Sequence, residues 1–187
     1  YECTLIVINN SDILLVKHYF ENMEAGLYAS LALIGRVVYF LTWMLIMVFL
    51  PKVIEAKKNG GNPSGLLKEY LRYVLVLTVS LVVLCYIFPQ TIITLLFGSA
   101  YVSMGVLLWK YAMATSLFAL ANIFVYYFLS LEKYIPVIIA AVFGISQVIL
   151  ITFFHQSLEE VVEVQIYLMA ILLMVQTGFW LKSKAFS

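Results

Sequence analysis

Apolar residues run along this chain in long blocks, broken only by short polar stretches. A helix needs about 20 apolar residues to cross the hydrocarbon of a bilayer, and measured against that length the blocks predict six spans. They lie at Cys3 to Tyr19, Gly26 to Leu50, Leu71 to Phe97, Ser103 to Ser130, Tyr134 to Phe154 and Val161 to Leu181. No charge occurs from Tyr73 to Trp109, a run too long for one crossing. Pro89 and the FGSAY turn (Phe97 to Tyr101) divide it into two helices joined by a tight hairpin. The fold class expected is therefore all-α, a polytopic transmembrane helical bundle.

One long hydrophilic stretch, residues 52–70, interrupts the pattern and reads as a loop containing the turn sequence NGGNPSG, with Ser64 as a cap for the third helix. It carries Lys52, Lys57, Lys58 and Lys68, with Arg72 just beyond. Basic loops stay on the cytoplasmic side, which places this loop, Lys133 and the tail with Lys182 and Lys184 inside. The acidic turns holding Glu21 and Glu24, and Glu159, Glu160 and Glu163, then fall outside. Both ends are expected to be cytoplasmic, in a plasma-membrane protein.

Composition supports this reading: 64% of the 187 residues are hydrophobic and 11% charged, and the mean hydropathy is +1.03. No water-soluble domain of this size hides so much apolar surface. The net charge of +1 gives no basis for nucleic-acid binding. Cys3 and Cys85 lack any paired spacing and are expected to be buried free thiols. The chain starts at Tyr1, without a basic leader, and reads as part of a longer protein.

Charges inside the spans are the candidate chemistry. At 1.5 Å per residue, Arg36 lies roughly 15 Å below the outer end of the second span, and Asp12 and Lys110 each about 10 Å below theirs. Each costs on the order of 3 kcal/mol facing lipid, so each is expected to face the bundle interior, water or another charge. Ala29, Ala32, Tyr39, Phe40 and Trp43 share the helical face of Arg36. Two readings follow. In one, Arg36, Tyr39 and Trp43 line a cavity where guanidinium binds an anionic headgroup. In the other, Arg36 pairs with Asp12 in a packed interface, leaving Lys110 without a partner. Asn9 shares the face of Asp12 and is expected to bond to it. Asn122, Gln147 and Gln176 read as interhelical glue, and Ala112 with Ser116 and Ala140 with Gly144 as points of close helix approach. His18 and His155 have no metal spacing, and the sequence shows no catalytic triad, phosphate loop or metal cluster. Neither cofactor nor metal is expected, nor an enzyme.

Several short stretches carry a resemblance. ILLVKHYF after Asp12, EAGLY (Glu24 to Tyr28), FLPK (Phe49 to Lys52) and LLFGSAY (Leu95 to Tyr101), in this order relative to the spans, resemble the polysaccharide flippases. These are the oligosaccharide-lipid branch of the superfamily of multidrug, oligosaccharidyl-lipid and polysaccharide exporters. The resemblance implies one six-helix lobe, the C-terminal one, of a two-lobe alternating-access transporter. The partner would be the missing N-terminal lobe, and the substrate a polyprenyl-diphosphate-linked oligosaccharide for cell-surface polysaccharide biosynthesis. In that setting Arg36 would face the cavity and pair with the diphosphate, with Asp12 and Lys110 nearby. The competing readings are a multidrug or cation exporter of the same superfamily, which would favour buried carboxylates, and a fragment of a membrane glycan polymerase or transferase, which would need larger outer loops.

Overall fold

A computed structural model describes residues 1–185. Among these there is no strand, and the chain folds into seven α-helices: α1 Glu2–Tyr19, α2 Asn22–Lys58, α3 Pro63–Ile87, α4 Pro89–Phe97, α5 Gly105–Ser130, α6 Ile135–Phe153 and α7 Leu158–Ala185. A 3-10 segment, Ser99–Met104, joins α4 to α5. Among the described residues four stretches have the length and apolarity to cross a membrane: Asn22–Lys58, Pro63–Ile87, Ser99–Ser130 and Ile135–Phe153. The first and last predicted spans fall within α1 and α7.

α5 is the hub. Its most apolar stretch is 78% buried, against 22% to 33% for the other three. A helix apolar all round needs partners all round, and α2, α3 and α7 supply them, packing on α5. α6 sits on α1, where Gly144 allows the approach: a β-carbon there would lie 3.1 Å from Cγ1 of Ile8.

The third predicted span differs from expectation. Its helix ends at Ile87, because Pro89 has no N–H for the carbonyl one turn back. The residues expected to complete it form the separate nine-residue α4, stopped by Gly98 at φ +91°.

The hydrophilic stretch at 52–70 is also not a loop. α2 continues to Lys58 and α3 starts at Pro63, leaving only Asn59–Gly60–Gly61–Asn62 outside helices. The physical reason is that Val53, Leu67 and Tyr70, spaced between the charges, bury against Phe49 and Phe128 and extend the core. At 1.5 Å per residue α2 is about 55 Å long, well beyond a hydrocarbon layer of about 30 Å. Asn62, not Ser64, caps α3, accepting from the Gly65 amide at 3.0 Å, while Ser64 lies 3.1 Å from the Tyr127 hydroxyl. Cys85 is buried as expected, but Cys3 is exposed, on the face of α1 turned away from the core.

The core forms two apolar clusters. One, around Phe49, Leu67, Phe124 and Phe128, fills the end where the α2–α3 connection lies; the other, around Tyr28, Leu31, Leu108 and Val161, fills the opposite end. A polar layer separates them, and it contains Ser11 and Asp12 of α1, Gln147 of α6 and Gln165 of α7, all buried.

Candidate functional site: a groove beside a buried polar node

Asp12 is 1% exposed. Its Oδ2 accepts hydrogen bonds from the Tyr28 hydroxyl at 3.0 Å and the Tyr111 hydroxyl at 2.7 Å. Gln165 Nε2 donates to the Tyr28 oxygen at 2.7 Å. One carboxylate thus ties together α1, α2, α5 and α7. One turn away, Gln147 Nε2 donates to the Ile8 carbonyl and the Ser11 hydroxyl, both at 3.0 Å, adding α6. Beside the node is a crevice of about 20 Å³ bordered by Asn9, Thr115 and Gln147, room for one water molecule.

Arg36 is on the other side of α1. Its Nη2 donates to Oδ1 of Asn10 at 2.8 Å, and among the described residues no ion pair includes either Arg36 or Asp12. The direct Asp12–Arg36 pair is therefore not formed: two tyrosines hold the carboxylate and an amide holds the guanidinium. Arg36 instead lines a groove of about 320 Å³ between α1 and α2, with Glu2, Asn9, Asn10, Tyr39 and Phe40. Tyr39 stacks on Phe118 with ring centres 6.2 Å apart, which fixes the wall of the groove, whereas Phe40 is 54% exposed. Glu2, at the other end of the groove, accepts from the Tyr126 hydroxyl at 3.3 Å. Half-buried, without a carboxylate within 4.0 Å, Arg36 retains donors for an anion.

The five residues singled out in the sequence thus separate. Arg36 and Tyr39 share the groove; Asp12 backs it from inside the bundle; Trp43 is exposed one turn below Tyr39 and is not part of the groove lining. Lys110 is not unpaired. Its Nζ lies 2.6 Å from Glu159 and 2.8 Å from Glu163, both on α7, because the acidic turn expected outside the membrane folds over the start of α5. Asn9 does not reach Asp12 either; its amide bonds back to the Leu5 carbonyl at 2.8 Å. Sequence reasoning missed Asn10, Tyr28, Tyr111 and Gln165. The available signal was polar side chains in mid-span, since tyrosines in membranes favour the interfaces and a mid-span hydroxyl needs a partner.

No curated protein and no solved structure matches the chain. A family model described as "Polysaccharide biosynthesis protein" matches residues 1–106. That stretch carries Asp12, Arg36, Tyr39 and Trp43 and stops short of Lys110. With more than half of its 187 residues matched, this helical, multi-pass membrane protein belongs to the polysaccharide biosynthesis protein family.

Proposed function

We propose that the chain is a six-span lobe of a flippase, one that moves a polyprenyl-diphosphate-linked oligosaccharide across the plasma membrane by alternating access against a second lobe. The observation that carries this reading is Arg36, a cation at mid-span depth on a groove of about 320 Å³, held by a neutral amide. A cation in that position costs several kcal/mol unless an anion meets it, and a guanidinium presents two parallel N–H donors to a phosphate. Asn10 holds one edge of the guanidinium and aims the rest into the groove. Tyr39 and Phe40 offer ring faces beside it, suited to the apolar faces of a sugar or a prenyl chain. A groove on one lobe becomes a closed path when the other lobe covers it. Exchange between inner and outer openings then moves a diphosphate without exposing it to lipid.

The side assignment follows the basic residues. Lys52, Lys57, Lys58, Lys68 and Arg72 cluster around the α2–α3 connection, and positive charge is retained on the cytoplasmic side. Both ends of the lobe then face the cytoplasm. Transport, rather than catalysis, is the role proposed.

The test is export of surface polysaccharide in a host lacking its own flippase, comparing the complete wild-type protein with Arg36→Ala and Arg36→Lys. The expected result is normal accumulation of both variants in the membrane, no export with Ala, and reduced export with Lys. Wild-type export by Arg36→Ala would remove Arg36 from the substrate path.

A further inference from the structure

A second groove lies on the opposite side of α5 from the polar node. Its lower part, about 210 Å³, is bounded by Leu71 of α3, Phe124 of α5 and Trp180 of α7. Its upper part, about 250 Å³, runs between α3 and α5 from Leu75 to Val82 and Met113. Leu75 and Leu120 border both parts, which therefore adjoin along the seam of α3 and α5 and are treated together as one slot.

The lining is apolar in effect as well as in composition. Its hydroxyls are committed to their own helices: Thr78 donates to the Val74 carbonyl at 2.8 Å, Ser116 to Ala112 at 2.7 Å and Thr177 to Leu173 at 2.8 Å. From Met113 to Phe124 the slot is about 16 Å long at 1.5 Å per residue. That is the depth of one leaflet, half of a hydrocarbon layer of about 30 Å.

At the Met113 end, Lys110 one turn beyond is taken up by Glu159 and Glu163, whereas the other end carries exposed cations. Following the slot down α3, the face carrying Val82, Val79, Leu75 and Leu71 continues, one turn on, to Lys68, with Arg72 beside it on the same face. Both side chains are exposed. The nearby carboxylate, Glu69, lies off this face and is engaged by the Tyr73 hydroxyl at 2.7 Å. An apolar slot one leaflet deep that ends beneath two cations matches an amphiphile with a single anionic head and a straight acyl chain.

We infer that the slot between α3 and α5 binds an anionic glycerophospholipid of the leaflet at the basic end of the bundle. One acyl chain lies over Leu75 and Leu120, and the headgroup phosphate meets Lys68 and Arg72. The inference needs the membrane and the basic end only, and does not depend on Arg36 or on the transported substrate.

The experiment is photolabelling of the complete protein in phosphatidylcholine vesicles. One sample contains phosphatidylglycerol with a diazirine near the end of one acyl chain, and the other contains the matching phosphatidylcholine probe; labelled peptides are mapped by mass spectrometry. The phosphatidylglycerol probe is expected to label α5 around Met113 to Leu120 in clear excess over the phosphatidylcholine probe. Lys68→Gln and Arg72→Gln, both surface changes, should each reduce the excess about fivefold, the contribution of one basic side chain at a membrane surface. Equal labelling by the two probes in the wild type would overturn the inference. So would displacement of the label by unlabelled polyprenyl diphosphate but not by unlabelled phosphatidylglycerol, which would assign the slot to the carrier lipid.

Discussion

Tyr111 crosses α2 directly against Gly35: a β-carbon on Gly35 would lie 2.3 Å from Cε1 of Tyr111 and 2.8 Å from Oγ1 of Thr115. No side chain fits at that separation. The glycine therefore sets the position of Tyr111, whose hydroxyl holds Asp12, and it precedes Arg36 in the chain. One residue without a side chain couples the buried node to the groove.

Gly35→Ala is accordingly expected to destabilise the protein by about 1–3 kcal/mol, the usual range for overpacking a filled site, as the Tyr111 ring is pushed from Asp12. Thermal unfolding in detergent measures this. In a Tyr111→Leu background, which already lacks the hydroxyl bond to Asp12, Gly35→Ala should cost less than it does in the wild type, since the smaller side chain relieves the clash. An equal cost in the two backgrounds would show that the contact does not limit stability.

The Arg36–Asn10 bond distinguishes a guanidinium waiting for an anion from one that needs only a partner. Asn10→Asp would supply a carboxylate at the same place, 2.8 Å from Nη2 in the parent. If Arg36 is to meet a diphosphate, this neutralisation should reduce export more than Asn10→Ala, which leaves the charge free and costs only a hydrogen bond to a charged group, about 1.5–3 kcal/mol. An export assay ranking Asp above Ala would indicate that Arg36 needs a permanent partner.

Much of the bundle was legible because apolar length and proline are local signals: the helices fall where the blocks of hydrophobic residues fall, and Pro89 marks a break. The 52–70 stretch was misread because its polar residues stand on one face while Val53, Leu67 and Tyr70 are buried on the other, a division that becomes visible only once Phe128 is in place. Arg36 and Tyr39 could be put on one face from their spacing. Partners could not be read in this way. Asp12 and Arg36 are opposite charges at similar depth, yet they lie on different sides of α1, and helix rotation decides that. Lys110 was left alone in the sequence because Glu159 and Glu163 are about 50 residues further on, and no local pattern brings α7 to α5.

Lys110 is expected to hold structure rather than substrate. Its partners Glu159 and Glu163 are 54% and 44% exposed, and ion pairs at such positions contribute only about 0.2–1 kcal/mol. Lys110→Gln should therefore keep export near the wild-type level and lower the unfolding temperature slightly. A loss of export at unchanged stability would return Lys110 to the substrate path.

Asp12 allows charge to be separated from hydrogen bonding. Its Oδ2 takes two hydroxyl protons, while Oδ1 is buried with no hydrogen-bond partner. In Asp12→Asn the amide oxygen can replace Oδ2 and receive both tyrosines, with the NH₂ group in the place of Oδ1. Asp12→Ala removes the acceptor altogether and leaves two buried hydroxyls to find new partners, each at about 1–3 kcal/mol. Unfolding measurements should therefore find Asn close to wild type and Ala lower by roughly 2–6 kcal/mol, from the same principle applied to both hydroxyls. Equal losses would mean that the node depends on the negative charge itself. With the Asn variant folded, its export then reads the charge alone. Export retained would make Asp12 a structural acceptor that positions α1 behind Asn10 and Arg36, and export lost would place its ionisation within the transport cycle.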